Sequence, residues 1–144
     1  MKKTAFFVIV CATLLGMMLS ACSTAENLDG TSWAMTSYRD SQGNLVDILP
    51  DTIVTADFQA EQVSGNVTCN NYSGPYQTPG NNIKIGPLVP TLRECVGPDG
   101  IMAQEADFLR AMEAAAQYEI KGDTLEMLDA QGATILVFNR STIE

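Results

Sequence analysis

The side chains able to do chemistry in this 144-residue chain are carboxylates, thiols and amides, because it contains no histidine. That composition removes the commonest general base near neutral pH, the Ser-His and Cys-His nucleophile pairs and the usual zinc ligands. Seventeen carboxylates remain, and two held about 5–9 Å apart can cleave a glycosidic bond. None stands in a motif that would set such a pair. The stretch Asp47 to Asp57 lacks the glycine and terminal Glu of an EF-hand calcium loop, and no glycine-rich loop is spaced to cradle a phosphate. The expectation is a protein without catalytic residues, metal or cofactor, with a carboxylate-based hydrolase as the enzymatic alternative.

The thiols say more about place than about reaction. Cysteines stand at 11, 22, 69 and 95. Lys2 and Lys3 precede an uncharged run from Ala5 to Met18, and Leu19-Ser20-Ala21-Cys22 follows. A basic start, a short apolar centre and a small-residue exit are the three parts of an export signal. The Leu-Ser-Ala-Cys run resembles the bacterial lipobox, in which the cysteine thiol takes a diacylglyceryl group and cleavage leaves that cysteine first. An uncleaved transmembrane helix is the alternative, at the short end of the roughly 17–25 residues a bilayer needs. The reading is a signal peptide over 1–21, lipidation at Cys22, a lipid-anchored tether over 22–27 and a single domain over 28–140. Two or more acyl chains would hold such a protein firmly on the extracytoplasmic side of a membrane. Ser23 is compatible with the outer membrane where the cell has one.

Outside the cytoplasm Cys69 and Cys95 form an even pair in an oxidising compartment, which predicts a disulfide worth about 3.5 kcal/mol in the chain-entropy picture. A redox-active pair would need Cys-X-X-Cys spacing or a basic neighbourhood, and only Arg93 is near. Without Lys2 and Lys3 the eight Lys/Arg and 17 Asp/Glu leave a mature chain of charge −11. Such a surface repels phosphate backbones, so nucleic acid is not a partner. The acids are scattered, as on a solvated monomer. The most distinctive polar cluster is Asn70, Asn71, Tyr72 and Ser73 beside Cys69. It reads either as turn chemistry, with the asparagines satisfying backbone amides, or as a recognition surface on a rigid loop, with Asn70, Asn71 and Tyr72 as the binding candidates.

The elements that must position these residues are mostly strands. Alternation predicts strands over Thr31 to Tyr38, with Trp33, Met35 and Ser37 on one face, and over Ile53 to Gln59, with Val54, Ala56 and Phe58 inward. Ala60-Glu61 turns into Gln62 to Cys69, where Gly65 implies a bulge or a close backbone approach. Asp40 to Asn44, Asn70 to Gly74 and Pro79 to Asn82 read as turns, Ile83 and Ile85 start a strand, and Pro87 and Pro90 mark a sheet edge. Asp99 is placed to cap a helix over Ile101 to Ala116, with Glu105 at the border of its apolar stripe. Three strands close the chain: Gln117 to Lys121, Thr124 to Leu128 and Thr134 to Asn139, the last apolar on both faces and so central or covered. The fold class is mainly β with one α-helix, a curled antiparallel sheet or small partly open β-barrel packed by that helix.

Taken in order, these segments resemble the META domain family, the HslJ-like bacterial lipoproteins. Leu28-Asp29-Gly30-Thr31-Ser32-Trp33 is similar to the family's opening, and Val63 to Gly74 around Cys69-Asn70 is similar to its central motif. Ile83 to Cys95, the helix from Ile101 through Glu105 to Leu109, and the hairpin Tyr118 to Leu128 follow in the family's order. Val67-Thr68 departs from the glycine often found before the Cys-Asn pair. The resemblance implies a β-rich fold with one helix, frequent lipid anchoring and members tied to heat shock, novobiocin resistance or virulence, and it implies no reaction. The functional expectation is a non-catalytic lipoprotein of the cell envelope, acting in envelope stress or integrity by binding another envelope component. A small-ligand carrier using a barrel mouth is the second alternative.

Overall fold

The computed structural model describes residues 26–141; the signal segment, Cys22 and all of the tether except Glu26 and Asn27 lie outside the described residues. Ten strands and one helix follow in the order β1 (Thr31–Arg39), β2 (Leu45–Asp47), β3 (Thr55–Gln59), β4 (Gln62–Asn66), β5 (Asn71–Gln77), β6 (Lys84–Ile85), β7 (Val89–Pro90), α1 (Ile101–Ala114), β8 (Gln117–Lys121), β9 (Thr124–Leu128) and β10 (Thr134–Arg140). The sheet runs β6-β5-β4-β3-β1-β10-β9-β8, with β2 added beside β1 and β7 beside β5. Its two ends curl toward each other. An Asn82–Gln117 bridge joins them, flanked by Ile83 N donating to Ala116 O at 3.0 Å and Tyr118 N to Asn81 O at 3.1 Å. The result is the half-open, helix-packed β architecture expected from the alternation.

Period-two patterning fills the inside. Val54, Ala56 and Phe58 from one strand, Trp33 and Met35 from another, and Leu125 and Met127 from a third are buried together, and β10 lies centrally between β1 and β9. Helix α1 lays Phe108 and Met112, both fully buried, onto this interior. Edge-to-face contacts run from Tyr72 to Phe108 to Phe138, with centroids 5.3 and 6.5 Å apart. Such pairs add about 0.5–1.5 kcal/mol beyond their buried area.

Several local expectations are corrected. The register of β1 against β10 shifts between Met35 and Ser37, so a bulge at Thr36 turns Tyr38 inward and leaves Ser37 outside, bonded to Asp47 Oδ1 at 2.9 Å. One extra residue inverts every face after it. The segment Asn70 to Gly74 is not a turn: from Asn71 it is strand β5, whose buried positions alternate at Tyr72, Gly74 and Tyr76. The turn lies earlier, where Thr68 takes φ 79° and Val67 N donates to Asn70 O at 2.7 Å. Residues 45–47 form the short strand β2, which had no alternation long enough to show. The helix starts after Gly100, at φ 91° and without a side-chain cap bond, so Asp99 does not cap it; the helix ends at Ala114, before the expected Ala116.

Gly65 sits where a Cβ would collide with the Thr55 carbonyl, so close backbone approach, not a bulge, explains it. Gly65→Ala is expected to destabilise the domain by about 1–3 kcal/mol. Guanidinium denaturation should show the midpoint falling with an unchanged slope.

Candidate functional site

The amide cluster forms around one residue. Asn70 is 1% exposed, and its side chain is used on every side. Nδ2 donates to both carboxylate oxygens of Glu105, at 3.1 and 3.0 Å, and to the Arg93 carbonyl at 3.1 Å. Oδ1 accepts from Thr91 Oγ1 and Arg93 N, both at 2.8 Å. The neighbouring Cys69 is disulfide-bonded to Cys95 with Cα atoms 6.0 Å apart, as compartment and pairing predict. Asn70 and the disulfide together fasten the irregular segment 91–100 to the sheet and to α1. Glu105 is therefore buried inside the helix contact, not at the border of the stripe.

Of the three binding candidates, only Asn71 is on the surface, its Oδ1 accepting from Asn66 Nδ2 at 3.3 Å. Tyr72 is buried, its hydroxyl donating to Thr55 O at 2.9 Å, and burial first, then the charge of Asp57, pushes its ionisation far above the usual range. The three do not converge on one surface.

The helix extends the same device. Gln104, Glu105 and Asp107 are buried polar residues on α1. Gln104 Oε1 accepts from Leu49 N at 2.7 Å while its Nε2 donates to Thr52 Oγ1 at 3.2 Å. Asp107 accepts from Ser41 N at 3.1 Å and from Arg110 Nη2 at 2.6 Å, and Glu113 Oε1 accepts from Leu88 N at 2.9 Å. Sequence reasoning missed these roles because helical periodicity treats a polar residue beside the apolar stripe as a solvated edge.

Concave surface lies outside the packed interior. One groove of about 320 Å³ is lined by Glu61, Gln62, Pro75, Tyr76, Gln77 and Lys84 among others, and it adjoins a second of about 440 Å³ that includes Asp29. A third, of about 360 Å³, gathers Arg39, Asp40, Asp107, Arg110 and Asp129. Its acids are engaged: Asp129 pairs with Arg39 at 3.3 Å and accepts from Gln131 N and Ala133 N, while Asp107 pairs with Arg110. Asp40 is held below the ordinary carboxyl range, chiefly by the amide of Asn44. Among the described residues no group of three or more His, Cys, Asp or Glu is placed to hold a metal ion.

Two measurements probe this geometry. Asn70→Leu strands the buried Glu105 carboxylate and is expected to cost about 3 kcal/mol. In a double-mutant cycle with Glu105→Leu, the second change should cost much less in the Asn70→Leu background than alone. Near-additive costs would show the two side chains to be independent. Tyr76 donates to Asp29 Oδ1 at 3.1 Å, and burial first, then that bond, raises it from 10.0 to about 12. The fold thus favours the neutral phenol; that contribution is complete below pH 10 and lost as pH climbs to about 12. The difference in tyrosinate absorbance between wild type and Tyr76→Phe should rise near pH 12, and a rise near 10 would contradict the geometry.

Solved structures place the fold in context. The NMR structure of a protein from Burkholderia xenovorans is similar with a TM-score of 0.66 at 23% identity, over 81% of this chain and 85% of that one. The crystal structure of a DUF4847 family protein from Bacteroides vulgatus is similar with a TM-score of 0.59 at 15% identity, over 83% of this chain and 98% of the other. At these identities the likeness concerns the fold alone. No curated protein matches the sequence. The family model of the META domain matches residues 26–142, the whole folded part just described, and the chain belongs to the META domain family.

Proposed function

We propose that this META domain protein is a non-catalytic lipoprotein of the cell envelope. It is held by acylated Cys22 on the extracytoplasmic side of a membrane and acts in envelope stress or integrity by binding another envelope component. The observation that carries this reading is the succession along the chain: a lipobox-like Leu19-Ser20-Ala21-Cys22, then almost at once a packed domain whose two remaining cysteines are bonded to each other. Such bonds form and persist mainly in oxidising compartments, which export would supply. Among the described residues no helix is long and apolar enough to cross a membrane.

A binding role draws support from how the polar groups are spent. A general acid needs a carboxyl raised toward neutrality, whereas Asp40 is lowered and the other acids of its groove hold arginines or backbone amides. The carrier alternative needs an open interior. Trp33, Phe58, Phe108, Phe138, Met112 and Leu136 fill that space.

Mass spectrometry of the purified protein should find Cys22 as the N-terminal residue with a diacylglyceryl addition. Cys22→Ala should move the protein from the membrane to the soluble fraction. An intact leader, or an unmodified thiol on membrane-bound protein, overturns the anchor. Unchanged stress and drug tolerance in a deletion strain overturns the envelope role.

A further inference from the structure

The domain has two unlike ends, and the tether reaches only one of them. The chain enters at a fixed place. Leu28 is fully buried, Tyr118 donates to Glu26 O at 3.3 Å and Arg140 pairs with Glu26 at 3.8 Å. Gly30 N donates to Phe58 O at 2.7 Å and Ala60 N to Asp29 Oδ1 at 2.7 Å. The first described residues are thus pinned beside the Ala60-Glu61 turn. The turn at Gly122-Asp123 is at the same end, since Arg140 N donates to Asp123 O at 2.7 Å. Glu61, Gln62 and Lys84 line the groove at this entry end beside Ala60, Pro75 and Tyr76, and none of the large exposed apolar side chains stands on its turns.

From Ala60 the strand β3 runs away to Val54, about 20 Å at strand rise, where Val54 bridges Val67 and the Cys69–Cys95 bond follows. The large exposed apolar residues gather toward that far end. Leu92 is 95% exposed and Val96 wholly so, both on the disulfide-fastened segment, and the exposed Ile53 stands next to the Val54–Val67 bridge, while Val89, paired with Ser73, lies midway along the sheet. Apolar character alone would send this end into a lipid surface. The tether forbids it: Ser23, Thr24 and Ala25 separate Cys22 from Glu26, a reach of roughly 14 Å when fully extended. That is shorter than the height of the sheet.

We infer that the entry end, formed by the Ala60-Glu61, Gln77-Gly80 and Gly122-Asp123 turns, is the surface that faces the lipid headgroups, and that the disulfide end with Leu92 and Val96 points away from the membrane. This orientation rests on acylation of Cys22. The lipid surface meets polar and acidic groups close to the anchor, and the rigid apolar segment is held out of the bilayer by the shortness of the chain that carries it.

The test uses the full lipidated protein in phosphatidylcholine vesicles doped with a phospholipid carrying a headgroup diazirine. After irradiation, adducts are mapped by peptide mass spectrometry. Several-fold more adduct is expected on peptides spanning 59–62, 77–84 and 121–124 than on the peptide spanning 89–97. Adducts concentrated at Leu92 and Val96, spread equally over both ends, or found at neither end overturn the orientation. Inserting a Gly/Ser stretch of about 20 residues after Ser23, with a root-mean-square reach of about 25 Å, should erase the bias; a bias that persists would show that tether length is not its cause. Intact mass measured before irradiation separates the two readings. Protein without the acyl addition removes the anchor and the orientation with it, whereas acylated protein labelled at the far end overturns the orientation alone.

Discussion

The bond between the Asn70 amide and the buried Glu105 carboxylate, 3.0–3.1 Å to each oxygen, holds together parts of the chain that have no regular structure of their own. A carboxylate removed from water costs several kcal/mol unless it is bonded, so it tolerates only the arrangement in which Asn70 faces it. Asn70 reaches that place through the turn at Thr68, and its remaining bonds to Thr91 and Arg93 fix where β7 hands the chain to the helix. The disulfide closes the same region from outside, limiting the unfolded chain by about 3.5 kcal/mol in the entropic picture.

Apolar packing and polar fastening divide the work of seating α1. Phe108 and Met112 supply the buried area, at about 1.5–3 kcal/mol for a fully buried large side chain. That term is indifferent to small rotations of the helix. The bonds from Gln104 to Leu49, Asp107 to Ser41 and Glu113 to Leu88 are directional, and each also satisfies a backbone N–H in a loop that lacks a ladder partner. A helix packed by apolar contacts alone would leave those amides to water and the loops to wander.

Much of this was legible in the sequence, and the parts that were not share a cause. The segments from Val54 to Phe58 and from Tyr118 to Ile120 showed their alternation directly, whereas β10, apolar on both faces, shifts register against β9 between Thr134 and Leu136. Strand β1 did not show its true faces, since the bulge at Thr36 breaks the period in a way only its partner β10 reveals. Asn70 to Gly74 looked like turn chemistry because Asn, Ser and Gly are read singly; from Asn71 on it is a strand because Tyr72 and Tyr76 both find buried places and Gly74 lies close against Pro87 and Leu88. Gly100 rather than Asp99 begins the helix for a backbone reason, its φ of 91°. The amide cluster was visible beside Cys69, but its partner Glu105 lies 35 residues away, and no local pattern links them.

The abundance of acids in a chain without histidine has a structural answer at many positions. Asp29 accepts from Ala60 N, Asp40 from Gln42 N and Asn44 N, Asp107 from Ser41 N, Asp129 from Gln131 N and Ala133 N, and Glu113 from Leu88 N. An ionised carboxylate is the strongest acceptor a loop amide can find in the chain, and a small sheet joined by many turns has many such amides. The cations are few enough that Arg39, Arg110, Lys121 and Arg140 are engaged in ion pairs with these or neighbouring acids. Part of the negative charge thus serves to hold turns and loops in shape. The net excess leaves the domain repelled by anionic surfaces generally.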